Sequence, residues 1–173
     1  MHVHFLRHTV LAVTDLTFGT ITLNPGDPAP EFALTNFDGS TVASADYAGQ
    51  RLVLFFYPKA STPGCTVEAC DFRDSLESLQ AAGVAVVGVS PDSPQDNKAF
   101  ADEHGLTYPL LSDPNRELID AYGLWGTKTF GERTYTGVQR STFVVGPDGH
   151  LEHAMYSVAA DGHVAEVRAA LGL

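Results

Sequence analysis

Two apolar runs of strand length, residues 51–57 (RLVLFFY) and 84–89 (VAVVGV), limit the fold more than any other feature of this chain. Neither alternates polar with apolar side chains. Each strand must therefore be covered on both faces, which is the condition of a parallel sheet between helical layers. The intervening residues 66–82 carry Phe72, Leu76 and Leu79 at helical spacing, among Asp71, Arg73, Asp74 and Glu77. Strand, helix and strand make a βαβ unit, because parallel neighbours need a crossover connection.

The rest of the chain extends that unit. Residues 32–34 and 41–42 flank Asp38-Gly39 and predict a small hairpin. A helix is predicted over 94–104, with Ala99 and Phe100 on its buried side. A short helix should follow Asp113 as cap, with Pro114 at its first position. Residues 141–145 and 151–158 flank Gly146-Pro147-Asp148-Gly149, a hairpin pattern. Asp161 is placed to cap a last helix that turns Val164, Val167 and Leu171 inward. This order predicts an α/β protein of thioredoxin-like fold: a central mixed sheet flanked by helices, with an N-terminal hairpin and an inserted helix. The breaker cluster Asn24-Pro25-Gly26-Asp27-Pro28 marks where the compact part begins. Residues 1–23 thus read as an N-terminal extension and residues 24–173 as one domain.

Composition serves mainly to exclude. The 173 residues include 10 Lys and Arg against 21 Asp and Glu, a formal net charge of −11. Nucleic acid is not an expected partner, because phosphate binding needs a basic face. No apolar run approaches the roughly 18 residues of a membrane span, so no membrane partner is expected. Residues 10–13 are apolar but Asp15 follows, and no cleavage pattern does, so the expected location is the cytoplasm. His2, His4 and His8 lie in the extension without a carboxylate or thiol to complete a metal site. His104, His150, His153 and His163 are scattered and expected at the surface. No metal is therefore expected. Trp125 reads as a packing residue near the site, and the acidic surplus as a solubility feature.

The two cysteines, Cys65 and Cys70, carry the chemistry. They follow the turn Tyr57-Pro58-Lys59-Ala60-Ser61-Thr62-Pro63-Gly64, which joins the first core strand to its helix. Sites of open α/β sheets lie beyond the carboxyl ends of strands. Thr62-Pro63 is a helix start, with Thr as N-cap and Pro at the first helical position. Cys65 then falls in the first turn, where free N–H groups and the helix dipole favour a thiolate. The bland alternative is a buried structural cysteine. Five residues on an intact helix give ~140° of rotation and about 7.5 Å of rise, so the two Cα atoms stand roughly 8.7 Å apart. A disulfide needs them within ~7 Å. A resting disulfide therefore fits poorly, whereas a transient one coupled to unwinding fits. Taken alone, Cys70 reads equally well as core filler.

Residues 57–74, YPKASTPGCTVEACDFRD, resemble the active-site segment of the peroxiredoxins, in the subfamily called peroxiredoxin Q or bacterioferritin comigratory protein. Pro58, Thr62 and Cys65 match the superfamily pattern, and Cys70 matches the subfamily's resolving cysteine five residues later. Trp125-Gly126 and Arg140-Ser141-Thr142-Phe143 agree as well, and the resemblance covers roughly residues 24–173. It implies a thiol peroxidase for hydrogen peroxide and small organic hydroperoxides. Cys65 would become a sulfenic acid and Cys70 would condense with it, giving a Cys65–Cys70 disulfide that thioredoxin or a similar dithiol reduces. Thr62 would orient the peroxide, Pro58 shield the sulfur, Arg140 favour the thiolate and Glu68 orient Arg140. No cofactor is implied, and a monomer is expected, with a dimer as the alternative. Two other readings use the same pair: a thiol–disulfide oxidoreductase, for which a Cys-x-x-Cys pair is missing, and a peroxide redox sensor that signals without turnover.

Overall fold

The computed structural model describes residues 15–18 and 21–173. His2, His4, His8 and most of the N-terminal extension lie outside the described residues. In chain order the elements are β1 (Asp15–Phe18), β2 (Ala33–Asn36), β3 (Thr41–Ala43), a 3-10 turn (Ser44–Tyr47), β4 (Arg51–Phe56), α1 (Pro63–Ala81), β5 (Val84–Ser90), α2 (Pro94–His104), β6 (Leu110–Ser112), α3 (Glu117–Ala121), β7 (Trp125–Phe130), β8 (Arg133–Val138), β9 (Ser141–Val145), β10 (Leu151–Met155) and α4 (His163–Ala170).

Seven strands form the central sheet in the order β10-β9-β4-β5-β6-β2-β3. The two apolar runs lie side by side in its middle, parallel from Arg51↔Val84 to Phe56↔Val89. β6 continues the parallel set, while β9, β10, β2 and β3 are antiparallel to their neighbours. The sheet is therefore mixed. Period two along β4 divides the core. Val53 and Phe55, with Tyr57 just beyond the strand, pack on one face with Phe72 and Leu79 of α1, Phe100 of α2 and Val164 and Val167 of α4. Leu52, Leu54 and Phe56 pack on the other with Leu118 and Ile119 of α3, Tyr122 and Phe143. Both faces are thus covered, as the unbroken apolar runs require.

Several local expectations shift. The buried residues of α2 are Asn97, Phe100 and Ala101, while Ala99 is exposed. α3 starts at Glu117 rather than Pro114, after Arg116 at a left-handed φ of 59°. Asp113 still serves the helix start from a distance, its Oδ2 accepting the N–H of Leu118 at 3.0 Å and of Ile119 at 2.9 Å. α4 begins after Gly162, at φ 73°, so Asp161 is not its cap. The strand predicted over 151–158 ends at Met155. β6 spans three residues, too few to show a period. The β7–β8 hairpin is rich in threonine and poor in apolar alternation, and β1 joins it to make a second, three-stranded sheet.

Candidate active site

Sheet register builds the site. Phe56, the last residue of β4, pairs with Ser141, the first of β9. That register sets Arg140, just before β9, beside the exit of β4, where the loop to α1 starts. The loop is held at several points. Tyr57 donates its N–H to Val89 O at 3.0 Å, and Ala60 donates its N–H to Asp92 Oδ2 at 2.8 Å. Ser61 takes a left-handed φ of 62°, and Pro58 sits partly buried in the bend. Thr62 occupies the N-cap position of α1, yet its hydroxyl does not cap the helix. It donates instead to Lys59 O at 2.7 Å, back across the loop. Pro63 is the first helical residue, as the sequence predicts.

Cys65 is the third residue of α1 and 2% exposed, packed with Tyr57, Ala60 and Ala69. Its first-turn position leaves nearby N–H groups without intrahelical partners. Arg140 reaches it with one arm and Glu68 with the other: Nη2 donates to Cys65 Sγ at 3.3 Å and Nη1 to Glu68 Oε1 at 2.9 Å. A planar fork suits this two-point grip. Glycine at position 64 is part of the fit, because a Cβ there would stand 3.1 Å from Arg140 Nη2. Glu68 is fully buried and its Oε2 has no partner. Burial pushes its carboxyl up to about 7, against the pull of Arg140 in the other direction. Burial tends to lower Arg140, but the charges of Glu68 and Cys65 outweigh it and the guanidinium is raised. The site thus holds a fixed cation against the sulfur.

Cys70 is partly buried, and both cysteines are free. α1 runs unbroken past both of them, so the separation derived from helix geometry applies.

The structure places all six candidate residues. Cys65, Glu68 and Arg140 meet directly, Thr62 and Pro58 belong to the loop that precedes them, and Cys70 lies further along the helix. Asp92, which holds Ala60, was not among the candidates; its place just past β5, in Ser90-Pro91-Asp92-Ser93-Pro94, was the available signal. His163 is not at the surface. It is fully buried, its Nε2 2.7 Å from Thr142 Oγ1, and burial lowers its titration. Trp125 packs with the cluster on the sheet face away from Cys65, with the Arg116 guanidinium 4.4 Å from its ring centre. A cavity of about 730 Å³ beside Pro30, Phe32, Tyr47 and Leu52 has none of the six candidates in its wall. Among the described residues no three metal-ligating side chains come together, and no helix is long and apolar enough to cross a membrane.

Fold and site define a class: a thioredoxin-like α/β protein with a cysteine at the start of its first long helix and an arginine held on the sulfur. Comparison with known proteins sharpens this. The AhpC/TSA family pattern matches residues 25–154. A putative peroxiredoxin of Mycobacterium tuberculosis is 54% identical over 149 residues, 86% of this chain and 95% of the relative. Peroxiredoxin Bcp of Escherichia coli is 43% identical over 141 residues, 82% of this chain and 90% of the relative. A crystal structure of a Xylella fastidiosa PrxQ variant superposes with a TM-score of 0.83 at 33% identity, covering 89% of this chain and 98% of that one. The chain belongs to the AhpC/TSA family, among the peroxiredoxins of the Bcp and peroxiredoxin Q kind, and is a thiol-dependent peroxidase.

Proposed function

We propose that Cys65 is the nucleophile of this peroxidase and Cys70 its resolving partner. The observation that carries the reading is the Arg140 guanidinium shared between Cys65 Sγ and the buried Glu68. It supports negative charge on sulfur before the reaction and on oxygen during it. The Cys65 thiolate attacks one peroxide oxygen and the O–O bond breaks. The other oxygen leaves as hydroxide or alkoxide and takes a proton, giving water or an alcohol. Cys65 is then a sulfenic acid. Thr62 has committed its own proton to Lys59 O, so towards peroxide its hydroxyl acts as an acceptor, orienting the O–H of the substrate. Pro58 shields the sulfur from water. Glu68 keeps Arg140 in place.

Cys70 then attacks the sulfenic sulfur, an S–S bond forms and water leaves. A thioredoxin-like dithiol reduces the disulfide by exchange and is itself oxidised. The catalytic unit comprises residues 24–173, with residues 1–23 an extension, and it works as a cytoplasmic monomer. Cys65→Ser should abolish peroxide consumption with thioredoxin as reductant. Cys70→Ser should still oxidise once at Cys65 but lose efficient recycling. After one equivalent of peroxide, mass spectrometry should find the wild type lighter by two hydrogens at a Cys65–Cys70 link. Full turnover by Cys65→Ser, or a disulfide between chains, would overturn the assignment.

A further inference from the structure

Resting on the reading of Cys70 as the resolving cysteine, we propose that Tyr108 is a positioning residue for that step. Its buried hydroxyl holds the peptide unit that carries Cys70 in helical form, and so sets how readily the Cys65 sulfenic acid is resolved.

The Tyr108 hydroxyl donates to Ala69 O at 2.6 Å. That carbonyl belongs to the peptide joining Ala69 to Cys70, between the two cysteines of α1. Tyr108 is 2% exposed, and its ring meets Phe55 of β4 edge-on at 5.9 Å between centres. The donor is therefore fixed by the central sheet, which has no need to move in the reaction. Burial pushes its titration well above the ordinary value, so the hydroxyl stays a donor at every working pH.

The acceptor side must move. Cα atoms roughly 8.7 Å apart on an intact helix have to come within ~7 Å for a disulfide. Unwinding the turn between residues 65 and 70 displaces the Ala69 carbonyl from Tyr108. The other ties nearby act differently. Thr66 Oγ1 donates to Thr62 O within the first turn, and Glu68 is held by its side chain. Arg73 Nη1 donates to His104 O at 2.7 Å, beyond Cys70, and anchors the part of α1 that stays helical. Tyr108 thus holds the main chain of the segment that must open, and Arg73 marks where opening stops.

The consequence is a competition. A sulfenic acid that waits for Cys70 can meet a second peroxide, which transfers one oxygen to sulfur, yields a sulfinic acid and departs as water or alcohol. A tighter Tyr108 bond lengthens the wait.

Tyr108→Phe removes one oxygen and keeps the ring. One equivalent of hydrogen peroxide followed by acid quench and mass spectrometry reads the rate of disulfide formation. Graded peroxide with the reductant present reads the sulfinic fraction. A net hydrogen bond of ordinary strength corresponds to about a fivefold change in the open population, so disulfide formation should quicken about fivefold. The peroxide needed for half conversion to sulfinic acid should rise in step. Tyr156→Phe is the control, because Tyr156 donates to Tyr122 O at 2.9 Å and packs with the core cluster on the other face of the sheet from Tyr108 and Cys65. Both variants should lose thermal stability, but only Tyr108→Phe should shift the competition. An unchanged partition in Tyr108→Phe beside a normal wild-type disulfide, or an equal shift in Tyr156→Phe, would overturn this inference alone. A wild type that forms no Cys65–Cys70 disulfide would overturn the reading of Cys70 and this inference with it.

Discussion

Arg140 makes two contacts that a lysine cannot make together, one to Cys65 Sγ at 3.3 Å and one to Glu68 Oε1 at 2.9 Å. An ammonium is a single point of charge and lacks the planar fork. Arg140→Lys should therefore slow oxidation of Cys65 by on the order of a hundredfold, the scale of losing one aimed donor at a developing charge. Competition kinetics against a thiol of known reactivity would measure it, and a loss under threefold would count against the role given to Arg140. Glu68 supplies a pH signature. Its carboxyl is raised from 4.5 to about 7 by burial, so the folded protein holds this proton more tightly than the unfolded chain. The resulting stability is complete below about 4.5 and is lost as pH rises to about 7. Wild type should thus lose on the order of 3 kcal/mol relative to Glu68→Gln between those limits. Denaturant midpoints of the two proteins at pH 4.5 and pH 7.5 test the sign. A gap that stays constant or moves the other way would contradict it.

At the scale of elements, α2 is pinned to the sheet by a buried polar knot. Tyr57, just after β4, donates its hydroxyl to Asn97 Oδ1 at 2.6 Å, and Asn97 Nδ2 donates to Ser112 Oγ of β6 at 3.4 Å. Ser90 Oγ, at the end of β5, also donates to Asn97 Oδ1, at 3.4 Å. One side chain joins three strand ends beneath the loop that leads to Cys65. Asn97→Ala would strand the Tyr57 hydroxyl in the core, where an unsatisfied group is costly. We expect a loss of about 2–3 kcal/mol in urea unfolding, far more than an exposed asparagine would show. Lys98→Ala, one residue on and exposed, is the comparison and should change stability by less than about 0.5 kcal/mol.

Over the whole molecule, two sheets divide the labour. Both core clusters are built on the seven-stranded sheet, and the site candidates lie on α1 and the loops at that sheet's strand ends, whereas β1, β7 and β8 form a separate three-stranded sheet that adds Val138 and Trp125 to one cluster. β1 borders β7 from Asp15↔Thr129 to Phe18↔Gly126. A chain lacking residues 1–20 should keep its peroxide turnover within about twofold while exposing the β7 edge to faster amide exchange. A large drop in turnover with the fold intact would assign the extension a part in catalysis.

Much of the parallel core and of the helix start was legible in the chain itself, because both are written in neighbouring residues. The unbroken apolar runs require a sheet covered on both faces, Thr62-Pro63 marks the first turn of α1, and the spacing of Cys65 and Cys70 follows from helix geometry. Short or polar elements left weaker marks: β6 is too brief for a period, and threonine stands where β7 and β8 would show apolar alternation. Local pattern alone, without the family resemblance, leaves some side chains unplaced. Glu68 reads equally as a solvated helix carboxylate, and His163 as a surface histidine, yet both are fully buried. Arg140 stands 75 residues from Cys65, and Tyr108 39 residues from Ala69. Their contacts depend on which strand lies beside which and in what register. The sequence by itself determined much of the local conformation and the spacing of the two cysteines along one helix; only the tertiary structure decided which distant charge and which distant hydroxyl meet that helix, because long-range partners are chosen by the packing of the whole core.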